Sequence, residues 1–97
     1  MAAEEYFRGG VSLEPLPGEV KIDPATGMVQ PTHGISVWNR PDNLERFGGA
    51  YRVTNLPAEL KIIQRGRNPN HFEIVPVLPM ALAEYEDALA KIVLVPA

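Results

Sequence analysis

Apolar and polar positions alternate in three stretches of the chain and predict three β-strands. These stretches run from Ala50 to Thr54, from Leu60 to Gln64 and from His71 to Val77. Side chains on a strand point alternately to its two faces, so this pattern gives one apolar and one polar face. The polar turn from Arg65 to Asn70 contains glycine and proline, which favours a hairpin between the last two strands.

Shorter extended segments and tight turns account for most of the remaining chain. The chain has ten prolines and eight glycines, and proline is excluded from helix interiors and from central strands. Short elements joined by tight corners are therefore expected. Five further strand segments are predicted: Glu5 to Arg8, Val20 to Ile22, Met28 to Val29, Thr32 to Trp38 and Ile92 to Val95.

A helix is predicted near the C-terminal end, where four apolar residues recur at helical spacing: Leu82, Tyr85, Leu89 and Ile92. It is expected to begin at Pro79, since the first helical position needs no backbone N–H donor, and to span about three turns. A shorter helix is expected within Pro41 to Phe47. The pattern as a whole predicts a single α+β domain, residues 1–97, with a small, twisted, mainly antiparallel sheet and a C-terminal helix.

Composition excludes several classes of function. A net charge of -3 argues against general nucleic-acid binding, which depends on clustered Lys and Arg. The absence of cysteine removes disulfides and thiolate chemistry. No apolar run reaches the roughly 18 residues of a membrane span, and the segment from Met1 to Tyr6, with two glutamates, does not have the pattern of an export signal. We therefore expect a cytoplasmic protein that does not bind membranes; delivery into a target cell would use a route that reads no cleavable signal.

His71 and Glu73 are candidate catalytic residues, because alternation places both on one face of the predicted strand. A histidine there is suited to acid–base chemistry or to hydrogen bonding with a substrate. Glu73 is suited to pair with His71, to orient a ribose hydroxyl or to stabilise a positive transition state. The simpler alternatives are a half-buried strand histidine and a glutamate on a solvated face.

Ser36, Gly34 and Arg8 are candidate binding residues, and Ser36 is a candidate catalytic residue as well. Gly34 permits close approach of a ligand or another strand, so Ser36 near it is suited either to hold a ligand or to satisfy a turn. Arg8 lies between an aromatic pair and two glycines, where it is suited to grip a phosphate or to lie exposed at a strand end. His33 and His71 have no partner at a metal-binding spacing, so no metal site is expected.

Four segments occur in a recognisable order: Tyr6 to Arg8, Gly34 to Trp38, Leu56 to Lys61, and His71 to Ile74 followed by Pro79 and Met80. Their order and spacing resemble the Tse-type toxins exported by bacterial type VI secretion systems, in particular the second effector of that series. The resemblance is strongest from Gly34 to about Leu89. It implies a compact fold similar to ADP-ribosyltransferases.

The resemblance also implies an activity. It implies a small toxin that acts inside a cell with NAD as co-substrate, transfers ADP-ribose to an acceptor and is neutralised by a cognate immunity or antitoxin protein. Arg8 would bind the NAD pyrophosphate, Gly34 and Ser36 would hold the ribose or nicotinamide region, and His71 would contact the dinucleotide or the acceptor. The member of that family which this sequence most resembles has no carboxylate at the place of Glu73. Glu73 is assigned the role that carboxylates generally have in ADP-ribosyltransferases, stabilising the oxocarbenium-like sugar.

A function from another class is also compatible with the sequence. Val75 to Met80 and Val93 to Pro96 supply apolar residues that are suited to docking a partner. This alternative is a non-enzymatic protein-binding module with the same fold.

Overall fold

The computed structural model describes residues 4–97. The first three residues, part of the N-terminal segment in which no export signal is predicted, lie outside the described residues. In chain order the elements are strands β1 (Phe7–Gly9), β2 (Met28–Val29) and β3 (Ile35–Trp38), a 3-10 helix (Glu45–Phe47), strands β4 (Ala50–Thr54), β5 (Leu60–Gln64), β6 (His71–Pro76) and β7 (Met80–Ala81), helix α1 (Leu82–Leu89) and strand β8 (Val93–Pro96).

Six of the strands form one antiparallel sheet in the order β5-β6-β3-β1-β4-β8. Strands β2 and β7 form a separate antiparallel ribbon. The predicted α+β class, with a mainly antiparallel sheet and a helix near the C-terminal end, is confirmed. The predicted bounds of β4 and β5 are those observed, and β5 pairs with β6 as the predicted hairpin.

One face of the sheet packs against α1 and forms the core. Ile35 and Ile74 are paired across β3 and β6, so alternation directs both side chains to the same face. Both are fully buried, and Tyr85 and Leu89 of α1 are buried with them. Val29 of the β2-β7 ribbon joins the same cluster. Apolar positions from sheet, ribbon and helix therefore meet in one core.

The C-terminal helix is shorter than predicted. It begins at Leu82 rather than at Pro79, because the two residues of β7 pair with β2 instead of extending the helix. Ile92, predicted to lie on the helix, follows it and is still buried. Leu82, predicted to face inward, is 36% exposed because it occupies the first helical position beside the ribbon.

The predicted central helix is a single 3-10 turn, Glu45–Phe47. Gly48 ends it with φ at 102°, a left-handed conformation that glycine adopts without strain from a Cβ atom. Neither this turn nor α1, the helices of residues 4–97, is long and apolar enough to cross a membrane.

Candidate functional site

Ser36 and His71 lie side by side on the sheet face opposite α1. The register pairs Ser36 with Glu73, and Trp38 with His71, across β3 and β6. Alternation therefore directs these four side chains to one face. Ser36 Oγ lies 3.0 Å from His71 Nε2, within hydrogen-bond distance. The sheet thus brings together three of the candidate residues, two from β6 and one from β3.

The imidazole of His71 is held in one orientation. Its Nδ1 lies 2.7 Å from the backbone oxygen of Arg65. A carbonyl oxygen only accepts hydrogen bonds, so Nδ1 carries a hydrogen and donates it, and Nε2 is the nitrogen that faces Ser36. The Trp38 ring packs edge-on against the imidazole, with centroids 4.9 Å apart. The His71 side chain is 19% exposed, so the ring is held in place and still accessible to a ligand.

Glu73 is a buried carboxylate with three sets of polar neighbours. Arg65 Nε donates to both carboxylate oxygens at 3.0 Å, and the Gly34 N–H donates to Oε1 at 3.0 Å. Oε2 lies 3.8 Å from His71 Nε2. Charge-assisted hydrogen bonds hold the carboxylate firmly, and its residue is only 5% exposed. The geometry places Glu73 to orient and stabilise His71 rather than to touch a ligand.

Gly34, the residue before β3, lies close against β6 and α1. A Cβ atom added there would lie 1.7 Å from the backbone oxygen of Ile74 and 2.7 Å from the Tyr85 hydroxyl. That hydroxyl donates to the Ile74 carbonyl at 2.6 Å and accepts from the Ile35 N–H at 3.1 Å. The tyrosine therefore replaces a hydrogen bond of the sheet ladder. The space that Gly34 leaves is filled by protein atoms.

Arg8 is not brought to the face of His71. Tyr6, two residues earlier, packs edge-on against Phe72 on the core side, so alternation places Arg8 on that side as well. Its Nη1 donates to the Ser36 backbone oxygen at 2.7 Å and its Nε to the Ser12 backbone oxygen at 3.0 Å. These hydrogen bonds hold the guanidinium group against protein atoms where β1 and β3 meet.

Glu19 completes this junction and was not found by sequence reasoning. Its carboxylate lies 3.5 Å from Arg8 Nη1 and accepts the Ser36 N–H at 3.3 Å. The backbone N–H and carbonyl of Ser36 on the β1 side are thus both bound by this ion pair. Glu19 lies in a proline-punctuated loop, where a single glutamate carries no pattern that would mark it.

We expect the Arg8–Glu19 pair to stabilise the fold by holding Ser36. Both side chains are mostly buried, with exposures of 13% and 19%. Arg8→Met should lower the free energy of unfolding by about 1.5 kcal/mol, since it removes hydrogen bonds to a charged group. Urea unfolding of Arg8→Met, Glu19→Gln and the double variant checks this. The double variant should be less destabilised than the sum of the two single ones; strict additivity would contradict the coupling.

A pocket of about 340 Å³ opens where β3 ends. Trp38, which packs against His71, forms one wall, and Asn70, the residue before His71, forms another. The remaining lining residues come from the loop after β3 and the turn before β6: Arg40, Asp42, Asn43, Leu44, Arg46, Phe47 and Asn68. The pocket therefore combines aromatic surface, amide groups and two guanidinium groups next to the Ser36–His71 pair.

Two further findings bear on the function of this site. Within residues 4–97, no group of three or more His, Cys, Asp or Glu side chains is arranged to hold a metal ion. Comparisons with protein-family models, with curated proteins and with solved structures each found no match to this chain. Its function is therefore inferred from the contacts described above.

Proposed function

We propose that this chain is a bacterial toxin, an NAD-dependent ADP-ribosyltransferase with a fold of that type, neutralised by a cognate immunity or antitoxin protein. The observation that carries the proposal is the Ser36–His71 pair, 3.0 Å apart, beside a pocket of about 340 Å³. Pockets of this order hold ligands of small-molecule size. The toxin would act in the cytoplasm of a target cell, on an acceptor whose identity the site leaves open.

In the proposed reaction the bond between nicotinamide and ribose breaks and positive charge develops on the sugar. Ser36 would hold the ribose, and His71 would take the proton of the acceptor as it attacks. Glu73 would act through its charge, because its oxygens already accept from Arg65 and Gly34. Fixed charges and dipoles of this kind stabilise a charged transition state without reorganising during the reaction.

The residues that we propose to bind the phosphates differ from the one that the sequence predicts, which is Arg8. Arg8 is engaged with Ser36, Ser12 and Glu19, so we assign it to positioning Ser36. Arg40 and Arg46 line the pocket, and guanidinium groups are well matched to phosphate oxygens. Arg40 Nη2 also lies 3.2 Å from Asp42 Oδ2, but this pair is largely exposed, and exposed ion pairs contribute little. Both arginines are therefore proposed to meet the pyrophosphate.

The base of the dinucleotide would be held by the aromatic and amide groups of the same pocket. Trp38 provides a ring for stacking, and Asn68 and Asn70 provide amide groups for the edge of a base. Asn39, next to Trp38 in the chain, has a buried Oδ1 without a hydrogen-bond partner among residues 4–97. Buried polar atoms are normally paired, but Asn39 is not among the residues that line the pocket, so this oxygen has no part in the proposed binding of the dinucleotide.

NAD binding and turnover test the proposal directly. We expect saturable NAD binding by calorimetry and release of nicotinamide by the wild type. Arg46→Ala should weaken binding about 10-fold or more, since a charge-assisted hydrogen bond contributes about 1.5–3 kcal/mol, and His71→Ala should lower turnover. Lys21→Ala removes one exposed positive charge outside the pocket lining and should change neither. Absence of binding at millimolar NAD would contradict the proposal.

A second candidate, the non-enzymatic binding module, is favoured by one observation: each of the two predicted docking segments has an exposed apolar side chain. Val93 of the edge strand β8 is 52% exposed, and Leu78 is 71% exposed. Val75 and Pro76, included in the predicted docking segment, are instead buried in β6. Toxicity in bacteria separates the two candidates: it should be lost in Ser36→Ala and His71→Ala for an enzyme, and retained for a binding module.

A further inference from the structure

We infer that Ser36 is a nucleophile, activated by His71 as general base, that accepts an acyl group from an activated ester. This activity goes beyond the proposed function, because it requires neither NAD nor an ADP-ribose acceptor. Three observations carry it: the contact between the two side chains, the fixed hydrogen on the imidazole, and the charges around the pair.

The contact has the arrangement of an activated serine. A serine hydroxyl is a weak nucleophile until an adjacent base accepts its hydrogen. Ser36 Oγ and His71 Nε2 are 3.0 Å apart, within the range in which such a transfer occurs. Because Nδ1 donates to the Arg65 carbonyl, the neutral imidazole has its lone pair on Nε2 and accepts from the serine hydroxyl.

The surroundings stabilise the charges that the reaction creates. When His71 takes the hydrogen it becomes a cation, and the Glu73 carboxylate lies 3.8 Å from its Nε2. The Glu73 side chain is 6% exposed, so water screens this attraction weakly. Arg65 binds the carboxylate through Nε, and its side chain is 45% exposed. Its terminal nitrogens would stabilise the oxyanion that forms on the acyl group.

The proposed step transfers the acyl group of the ester to Ser36. Ser36 Oγ attacks the carbonyl carbon of the ester while its hydrogen passes to His71 Nε2. The bond between the carbonyl carbon and the leaving oxygen then breaks, and that oxygen takes the hydrogen from Nε2. The products are an acylated Ser36 and an alcohol, and water hydrolyses the acyl enzyme by the same route. With Arg40 and Arg46 in the neighbouring pocket, esters that carry an anionic group fit best.

Labelling with phenylmethylsulfonyl fluoride tests the nucleophile. The serine oxygen attacks the sulfur atom of this reagent, the sulfur–fluorine bond breaks and fluoride leaves. The serine hydrogen passes through His71 to water. The chain suits this probe, because it contains no cysteine and two serines, Ser12 and Ser36. We expect one label per wild-type chain by intact mass, mapped to Ser36. Ser12→Ala should label at the wild-type rate and Ser36→Ala should not label.

Variants of the two histidines test the base. His71→Ala should slow labelling of Ser36 about 100-fold, since a positioned general base contributes about 100-fold to 10,000-fold. His33→Ala changes the other histidine of the chain and should leave the rate unchanged. His71→Gln keeps a side chain of similar reach and serves if His71→Ala does not fold, as judged by its thermal unfolding.

The outcomes separate this inference from the proposed function. Labelling at Ser36 that depends on His71 supports the dyad whether or not NAD binds. Equal labelling of Ser12 and Ser36, no label at all, or a rate that His71→Ala and His71→Gln leave unchanged would each overturn it. A burst of nitrophenol from 4-nitrophenyl acetate, equal in amount to the protein and absent in Ser36→Ala, is the matching expectation for acyl transfer.

Discussion

Replacing Gly34 by alanine should lower the free energy of unfolding by roughly 3 kcal/mol or more, because overpacking at a rigid site forces the backbone to move. The added Cβ would lie 1.7 Å from the Ile74 backbone oxygen, and a strand backbone cannot rotate away as a side chain can. Relief requires β3 to separate from β6, which also disturbs the Tyr85 hydroxyl. Thermal unfolding should shift down by roughly 12–24 °C for a domain of this size.

Gly18 offers the matched control for this experiment. An alanine Cβ at Gly18 meets nothing within 4 Å, and its backbone does not lie in the left-handed region. Gly18→Ala should therefore leave stability unchanged or raise it by about 0.4–1 kcal/mol through the unfolded state. Equal stability of the two variants would show that the close approach of β3 and β6 is absent in solution.

Tyr85→Phe should lower the free energy of unfolding by about 2–4 kcal/mol, because two buried backbone groups lose their partner. The hydroxyl binds the Ile35 N–H and the Ile74 carbonyl, and the ring is fully buried. Phenylalanine keeps the ring and leaves both groups without a hydrogen bond. Urea unfolding near neutral pH measures the loss.

Alkaline pH should act on the same hydroxyl. Burial raises the pKa of Tyr85 to about 12, because the charged phenolate is poorly solvated in the core. A pKa raised in the folded state gives stability that is complete below the ordinary tyrosine value of about 10. That stability is lost as the pH rises through about 12. The wild type should therefore weaken over this interval by about 2–3 kcal/mol from this group.

Tyr6→Phe is the control that separates the hydrogen bonds of the Tyr85 hydroxyl from its titration at alkaline pH. Burial and a hydrogen bond to Glu4 raise the pKa of Tyr6 to about 12 as well. Its hydroxyl binds a side chain rather than the sheet backbone, so Tyr6→Phe should cost less than Tyr85→Phe at neutral pH. Both variants should lose less stability than the wild type between pH 10 and 12. Identical losses in Tyr85→Phe and wild type would contradict the role given to the Tyr85 hydroxyl.

Local alternation was sufficient to predict most strands but not their arrangement. β4 and β5 are five residues long each, and their bounds follow from the alternation of side chains within them. A short turn joins β5 to β6. The position of β1 between β3 and β4 depends on contacts between distant residues, which periodicity does not contain. The start of α1 was misplaced for the same reason, since β7 pairs with the distant β2.

The candidate site was predictable only where it lies on one strand. His71 and Glu73 are two residues apart on β6, so their common face follows from geometry alone. The contact of Ser36 with His71 depends on the register of β3 against β6, which the sequence does not specify. The contact of Arg8 with Glu19 joins a strand to a distant loop, which local periodicity does not predict either.

The strand order determines when, during synthesis of the chain, the site can form. β5 and β6 are joined by a short turn, whereas β1, β3, β4 and β8 pair across long stretches of chain. Pairings of distant residues form slowly, because long loops must close first. A growing chain on the ribosome has no contact between Ser36 and His71 until β6 has been made. The chemistry proposed for this pair therefore becomes available only after β6 has been made and has paired with β3.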